Sequence, residues 1–203
     1  MRYTWPKRKL CRREKKNLFW SRKYDISKNE KVPGQHGSAM QRLSDYGKLL
    51  RNKQAFKRSY WLTEKQFSVL VKKTSKKHAK NTGISHDLSL MQFLERRCDV
   101  VLLRAWVAAT IMQARQMISH GHWMLDGTPH NIPSHFMASG QKLSLKKKHH
   151  DSWLYQQISS TKVPLYIDFD KSSYNVLLKD LPQIDSEAIP FDVLKTIEFY
   201  ARA

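Results

Sequence analysis

Between Gln113 and Pro133 the chain reads QARQMISHGHWMLDGTPHNIP, and few folds can accommodate that stretch. Thr110 and Gln113 have the spacing of a capping box, in which a hydroxyl and a side-chain amide share the orphan N–H groups of a new helix. Ile111, Ala114, Met117 and Ile118 then fall on one helical face, with Gln113, Gln116 and His120 on another. Gly121 is placed to stop that helix in a left-handed conformation. The apolar run Trp123-Met124-Leu125 meets Asp126-Gly127, a pair suited to the two-residue type I′ hairpin turn. The spacing therefore predicts a helix running straight into a hairpin, rimmed by Gln, Arg and His. Such a rim has many donors and little negative charge, which suits a phosphate-bearing partner.

Charge distribution points the same way. The formal net charge is +20, and residues 1–80 hold 24 Lys and Arg against 5 Asp and Glu, while residues 81–203 hold 13 against 12. A folded segment repels itself at that density unless a polyanion neutralises it. Nucleic acid fits best, because each neutralised phosphate releases condensed cations. An anionic membrane fits less well, since the basic run lacks an amphipathic helix with a broad apolar face. There is no apolar run of the ~18 residues a membrane span needs, and no secretory signal is read. Pro6, Glu14 and scattered aromatics break the pattern of a transit peptide, so the Arg-rich start is expected to belong to the working protein. Cys11 and Cys98 form no CxxC pair, so no metal site is expected, and two reduced thiols are. The 203 residues, 40% apolar with six tryptophans, can bury a core in one or two domains.

Along the chain, residues 1–40 read as irregular. Tyr3, Trp5, Phe19, Trp20 and Tyr24 are interleaved with basic residues, placed either to stack on unpaired bases or to pack on the next helices. Ser44 or Asp45 can cap a helix to about Arg58 with Leu43, Tyr46, Leu49, Leu50 and Phe56 inward. A second capping box, Thr63 with Gln66, opens a helix ending in Lys72, Lys73, Lys76 and Lys77. Leu90, Leu94, Cys98, Val101 and Leu102 repeat at helical spacing, which predicts one helix carrying Cys98 on its core face. Glu95, Arg96, Arg97 and Asp99 are expected to pair within it. Leu143 and Leu145 alternate as a half-buried strand. Beyond Asp151, a short helix at Trp153, a strand at Leu165–Phe169 and a terminal element over 191–200, its helical start favoured by Pro190, complete the pattern.

Taken in order, these pieces resemble the bacterial-type small-subunit ribosomal protein S-four family along essentially the whole chain. Leu10-Cys11-Arg12-Arg13-Glu14 and Pro33-Gly34-Gln35-His36-Gly37 resemble its basic N-terminal segment and PGQHG turn. Leu43-Ser44-Asp45-Tyr46-Gly47, Lys53-Gln54 and Glu64-Lys65-Gln66-Phe67 resemble its first helical domain. Leu94-Glu95-Arg96-Arg97 with Asp99, Gln113-Ala114-Arg115-Gln116, His120-Gly121-His122 and Asn131-Ile132-Pro133-Ser134 resemble its RNA-binding motif. Ile197-Glu198-Phe199-Tyr200 resembles its ending.

The resemblance implies an α+β fold. A basic irregular N-terminal extension (1–42) would precede a small all-α helical domain (43–86). An S-four-type RNA-binding domain (87–150) would pack two helices on a small β-sheet. A C-terminal segment (151–203), with a strand and a terminal helix, would return to the helical domain. It also implies a structural constituent of the small subunit that binds small-subunit rRNA directly, nucleates assembly and lies near the path by which mRNA enters. Neighbouring small-subunit proteins, S-five in particular, would be partners, with no cofactor, no metal, no membrane and no homo-oligomer. Some family members bind zinc through four N-terminal cysteines, of which only Cys11 has a counterpart here. Implied RNA contacts are Arg12, Arg13, Gln35, His36, Lys48, Arg51, Lys53, Lys57, Arg58, Lys65, Arg97, Gln113, Arg115, Gln116, His120 and His122. Three departures from the family pattern, Trp61 for glycine, Ala105-Trp106 for Gly-Phe and Ser139-Gly140-Gln141 for Pro-Gly-Asp, suggest an organellar ribosome. A mitochondrion is preferred to a plastid, with the bacterial cytoplasm as the alternative.

Two other classes compete. An enzyme borrowing the same module, such as a pseudouridine synthase, needs a further catalytic domain that the chain lacks room for, and no P-loop, metal cluster or Ser/His/Asp order is present. A chromatin-like DNA binder is separable by RNA–DNA competition.

Overall fold

The computed structural model describes residues 6–27, 31–39, 42–80, 83–156, 163–183 and 191–202. Two compact units are present: Met1–Leu90 with Asp185–Ala203, and Met91–Ile184.

The first unit is helical. Its helices are α1 (Lys7–Glu14), α2 (Asp45–Ser59), α3 (Glu64–Lys80), the start of α4 (His86–Glu95) and α8 (Val193–Arg202). α1 is a difference from the irregular N-terminus that the sequence suggests: mixed Lys and Arg hide its period, and Cys11 is the buried anchor. α2 starts where Ser44 accepts from the Gly47 N–H. At α3 the capping box is reciprocal, Thr63 N donating to Gln66 Oε1 and Gln66 N to Thr63 Oγ1, each at 3.1 Å. Phe56 is the hub of the core, with its ring centroid 5.4 Å from Phe67 and 5.6 Å from both Tyr60 and Phe191. The C-terminal helix α8 packs on α2. Its start is set by Asn52, whose side chain accepts from Asp192 N (3.1 Å) and donates to Asp192 O (2.5 Å). Pro190, offered above as the helix start, lies outside the described residues.

The second unit packs α5 (Cys98–Arg104) and α6 (Ile111–Ser119) with a five-stranded antiparallel sheet of order β2-β1-β3-β5-β4. The strands are β1 (Trp123–Leu125), β2 (Thr128–Pro129), β3 (Lys142–Leu145), β4 (Ile167–Asp170) and β5 (Asn175–Leu178), and a single-turn α7 (Trp153–Gln156) precedes β4. The hairpin turn forms as expected, with Asp126 at φ 47° and Gly127 at φ 82°, both in the region that type I′ requires. Asp126 also accepts from Gln141 Nε2 and Lys142 N, each at 2.9 Å, tying the turn to the next strand. Trp123, Leu143, Leu145, Ile167, Val176 and Leu178 face Val101, Leu102, Ala114, Met117 and Ile118 in one buried cluster. The sheet thus takes β4 and β5 from beyond residue 150. β5 carries no turn signal or clean alternation strong enough to announce it.

Helical spacing from Leu90 to Leu102 predicts one helix, and the structure breaks it at Arg96–Arg97. The cause is the segment 133–137, which runs alongside. Cys98 N donates to His135 O (2.9 Å), Asp99 N to Pro133 O (3.2 Å) and Met137 N to Arg96 O (2.8 Å). The orphan amides that open α5 find carbonyls there instead of in a preceding helical turn. Cys98 is fully buried, as its spacing predicts, and burial pushes its thiol up to about 12.

Candidate nucleic-acid interface

In the helical unit the basic residues divide into two sets. Lys53 and Lys57 are buried, and their ammonium groups each lie 2.7 Å from a Glu64 carboxylate oxygen. Burial alone would raise the Glu64 carboxyl, but hydrogen bonds from Lys53, Lys57 and Tyr200 outweigh it and hold the group at about 2. Lys53 also sits 4.3 Å above the Phe199 ring. Arg58 and Arg51 reach Glu14 Oε1 at 3.0 and 3.5 Å. Lys48 is exposed and pairs with Asp45 at 2.9 Å. Arg12 is half-buried, and its Nε donates to Lys31 O at 2.8 Å. Arg13, Gln35, His36 and Lys65 are exposed. Lys15, Lys72, Lys73 and Lys76 are exposed as well.

The second unit is built around two buried carboxylates. Asp99 accepts from Arg97 Nε (3.0 Å) and Nη2 (2.7 Å), and Arg115 Nη1 lies 3.4 Å away. Glu95 accepts from Arg104 Nε (2.9 Å) and Nη2 (2.8 Å), and from the Tyr166 hydroxyl at 3.1 Å. Both carboxylates are wholly enclosed. Burial, with the Glu95 charge beside it, pushes the Tyr166 phenol well above its usual range. Of the expected pairings, Arg97 with Asp99 forms at the start of α5, while Glu95 takes Arg104 across the break.

The opening helix-to-hairpin unit supplies the rim. Thr110 accepts from Gln113 N at 3.2 Å, and Gln113 Oε1 accepts from Ala109 N at 2.9 Å, so the Gln113 amide is partly committed to the cap. Gln116 and His120 are exposed, and Arg115 is half-buried. His122 shares a hydrogen bond with the Tyr155 hydroxyl (2.8 Å) and stacks on His149, centroids 4.0 Å apart. Burial first, then neighbouring His149, His120, Lys148 and Lys146, lowers the His122 pKa, so its imidazole is neutral near pH 7. Lys142, Lys147 and Lys148 are exposed beside this group in sequence.

Of the sixteen residues inferred from the resemblance, Lys53, Lys57 and Arg97 are thus buried against carboxylates and do not reach the surface. What sequence reasoning missed is the acceptor side of the helical unit, Glu14 and Glu64, and the more distant partners Arg104 of Glu95 and Arg115 of Asp99. The signal for Glu64 was present, since a lone carboxylate among so many cations attracts the nearest of them.

A cation-rich helical unit and a helix-pair-on-sheet unit with a donor rim make a nucleic-acid-associated protein. Residues 2–95 match the family model described as the ribosomal protein S4/S9 N-terminal domain. Full-length relatives narrow this further: the small ribosomal subunit protein uS4 of Petrotoga mobilis is 32% identical over 216 residues, that of Thermotoga maritima 34% over 213, and that of Ligilactobacillus salivarius 36% over 209. Each alignment covers 99% of both chains. The chain belongs to the uS4 family of small-ribosomal-subunit proteins, structural constituents of the ribosome rather than enzymes.

Two departures from the family pattern gain a physical meaning in the structure. Trp61 (φ 53°) and Trp106 (φ 59°) each sit in the left-handed position just after a helix. Trp61 N bonds Arg58 O and Leu62 N bonds Lys57 O. In the same way Trp106 N bonds Leu103 O and Val107 N bonds Leu102 O. These are Schellman-type endings, where glycine is the unstrained choice. Of the pair Ala105-Trp106, it is Trp106 that occupies the glycine position.

Proposed function

We propose that this chain binds small-subunit rRNA directly, through the exposed cations of its helical unit and the Gln116–His120–His122 rim of its sheet unit. The observation that carries the reading is the division of the basic residues: scarce carboxylates neutralise the inward-facing ones, leaving Arg13, Lys15, Lys65, Lys72 and Lys76 exposed. Arg12, Arg51, Arg58 and Lys48 can turn a second N–H towards phosphate while keeping an internal partner. Arg115 and Gln113 position the rim. Double-helical RNA shows little sequence in its deep groove, so recognition is mostly of shape at a junction of helices.

Early binding in assembly, a place beside the path by which mRNA enters and contact with S-five follow from family membership as further parts of this proposal. The relatives compared are bacterial and support a ribosome of the bacterial cytoplasm. The preference for a mitochondrion drawn from the sequence departures finds no support among these relatives. The direct test is a filter-binding titration against small-subunit rRNA over a range of salt. Several phosphate contacts should weaken binding about 10³-fold or more between 50 and 200 mM salt. A flat plot of log K against log salt overturns the reading.

A further inference from the structure

The PGQHG turn lines a half-open cavity of about 750 Å³ in the helical unit, between the end of α1 and the start of α2. The turn itself is tight. A Cβ on Gly37 would stand 1.8 Å from Val32 O, so only glycine lets the turn fold back on itself. Gly37 N bonds Gly34 O (3.2 Å), Ala39 N bonds His36 O (3.1 Å), and Arg12 Nε fastens the strand before the turn through Lys31 O.

The lining is mixed in a way that limits what it can hold. Arg13, Lys15 and His36 supply exposed cationic or hydrogen-bonding groups, and Gln35 adds an amide. Pro33 and Leu43 supply apolar surface, and Leu43 is 41% exposed although it is a large aliphatic side chain. Among the described residues of the lining the one carboxylate, Glu14, is already held by Arg58 and Arg51. A bare phosphate would use the cations and leave the apolar wall wet. An apolar ligand would leave the cations unused. A nucleotide uses both, with its base against Pro33, Leu43 and the His36 ring and its phosphate on Arg13 and Lys15. The volume is ample for one nucleotide.

We infer that this cavity takes a single unpaired nucleotide extruded from RNA, an assignment that rests on the RNA-binding reading and gives it a point of base recognition. Stacking of one base on protein contributes about five- to a hundred-fold in affinity. The test uses the full chain and two RNA hairpins of equal length, identical except that one carries a single bulged 2-aminopurine. The bulged hairpin is expected to bind about tenfold tighter, with a change in 2-aminopurine fluorescence. Leu43→Ser, at an exposed position outside the inferred RNA contacts, is expected to remove most of that preference while leaving affinity for the paired hairpin within about twofold, and His36→Ala, at one of those contacts, to remove the preference while weakening both hairpins. Equal binding of the two hairpins, or an unchanged preference in both variants, overturns the pocket and leaves general RNA binding standing. Failure of either hairpin to bind overturns the RNA reading itself and the pocket with it. A third arm adds adenosine monophosphate. Weak competition at millimolar concentration supports the assignment, whereas tighter binding of the free nucleotide than of the bulged hairpin overturns RNA as its source.

Discussion

Replacing Asp99 by Asn removes one charge from a site with no solvent to compensate. The carboxylate is fully enclosed, and its main partner Arg97 is 4% exposed. Asn keeps an acceptor for Arg97 Nε but turns an NH₂ towards Nη2, which now stands at 2.7 Å from Asp99 Oδ2. A donor then faces a donor, and a guanidinium remains buried without its counter-charge. Breaking a buried pair from one side costs about 3–5 kcal/mol, most of it the stranded charge. Replacing both partners with apolar residues of similar volume, Arg97→Met with Asp99→Leu, is expected to cost about 1 kcal/mol or less. Arg115, 22% exposed and 3.4 Å from Asp99, can turn to solvent in either variant. Because the chain has two units, hydrogen exchange of the β1 and β3 amides is the suitable assay, reporting the opening of the sheet unit by itself. Asp99→Asn should speed their exchange by roughly two to four decades, with the double variant within about one decade of the parent. A change of less than tenfold for Asp99→Asn, or a double variant as fast as the single one, would refute the buried-charge account.

The two tryptophans in left-handed positions provide a matched pair. Trp106→Gly should relieve about 1 kcal/mol of backbone strain, partly offset by greater freedom in the unfolded chain, and leave thermal stability unchanged or slightly raised. Trp61→Gly should instead lower stability by about 2 kcal/mol or more, because the ring is buried, 5.7 Å from Phe19 and under the Lys7 ammonium. Equal effects in thermal melts would reject packing as the difference. Glu64 titrates at about 2 in the folded chain against an ordinary 4.5, so its stabilisation is present above 4.5 and lost as pH falls towards 2. Nearly half its side chain is exposed, so screening reduces the effect to about 1 kcal/mol, measurable as a smaller acid-induced loss of stability in Glu64→Gln. The lowered His122 pKa has the opposite consequence for the free and bound protein. Stability from its neutral form is present above 6.5 and lost as pH falls below it, whereas phosphate nearby favours the charged form. RNA binding should therefore tighten between pH 7.5 and 5.5, and His122→Ala should flatten that profile in titrations at fixed salt.

The helix-to-hairpin unit was legible because each of its boundaries is a local chemical event: a hydroxyl cap, a glycine stop and an Asp-Gly turn. The capping box at Thr63, the hydroxyl cap at Thr110 and the burial of Cys98 follow from spacing over a few residues. What spacing could not reveal was set by partners distant in the chain. The break before α5 depends on carbonyls at Pro133 and His135, and the start of α8 depends on Asn52, 140 residues away from Asp192. Strand β5 exists because β3 and β4 both pair with it, Leu143 opposite Val176 and Ile167 opposite Leu178. Likewise, a lysine on a basic helix reads as solvated until a carboxylate from another helix is known to face it.

Such pairing decides how so basic a chain can fold. A helix carrying Lys48, Arg51, Lys53, Lys57 and Arg58 within three turns would repel itself if all five charges were free. Asp45 holds Lys48, Glu14 holds Arg51 and Arg58, and Glu64 holds Lys53 and Lys57, so every cation of the row has a carboxylate partner and three of its five charges are offset. Glu14 and Glu64 lie on α1 and α3, so the same contacts fasten those helices to α2. The carboxylates are few because their task is internal, while Arg13 on α1 and Lys65, Lys72 and Lys76 on α3 are exposed. The net charge of +20 therefore overstates the number of phosphates the protein can neutralise, and the exposed, uncommitted cations set that number instead. On the RNA-binding reading proposed above, internal pairs of this kind hold the described part of the surface in place, so little of the association free energy would be spent on ordering it.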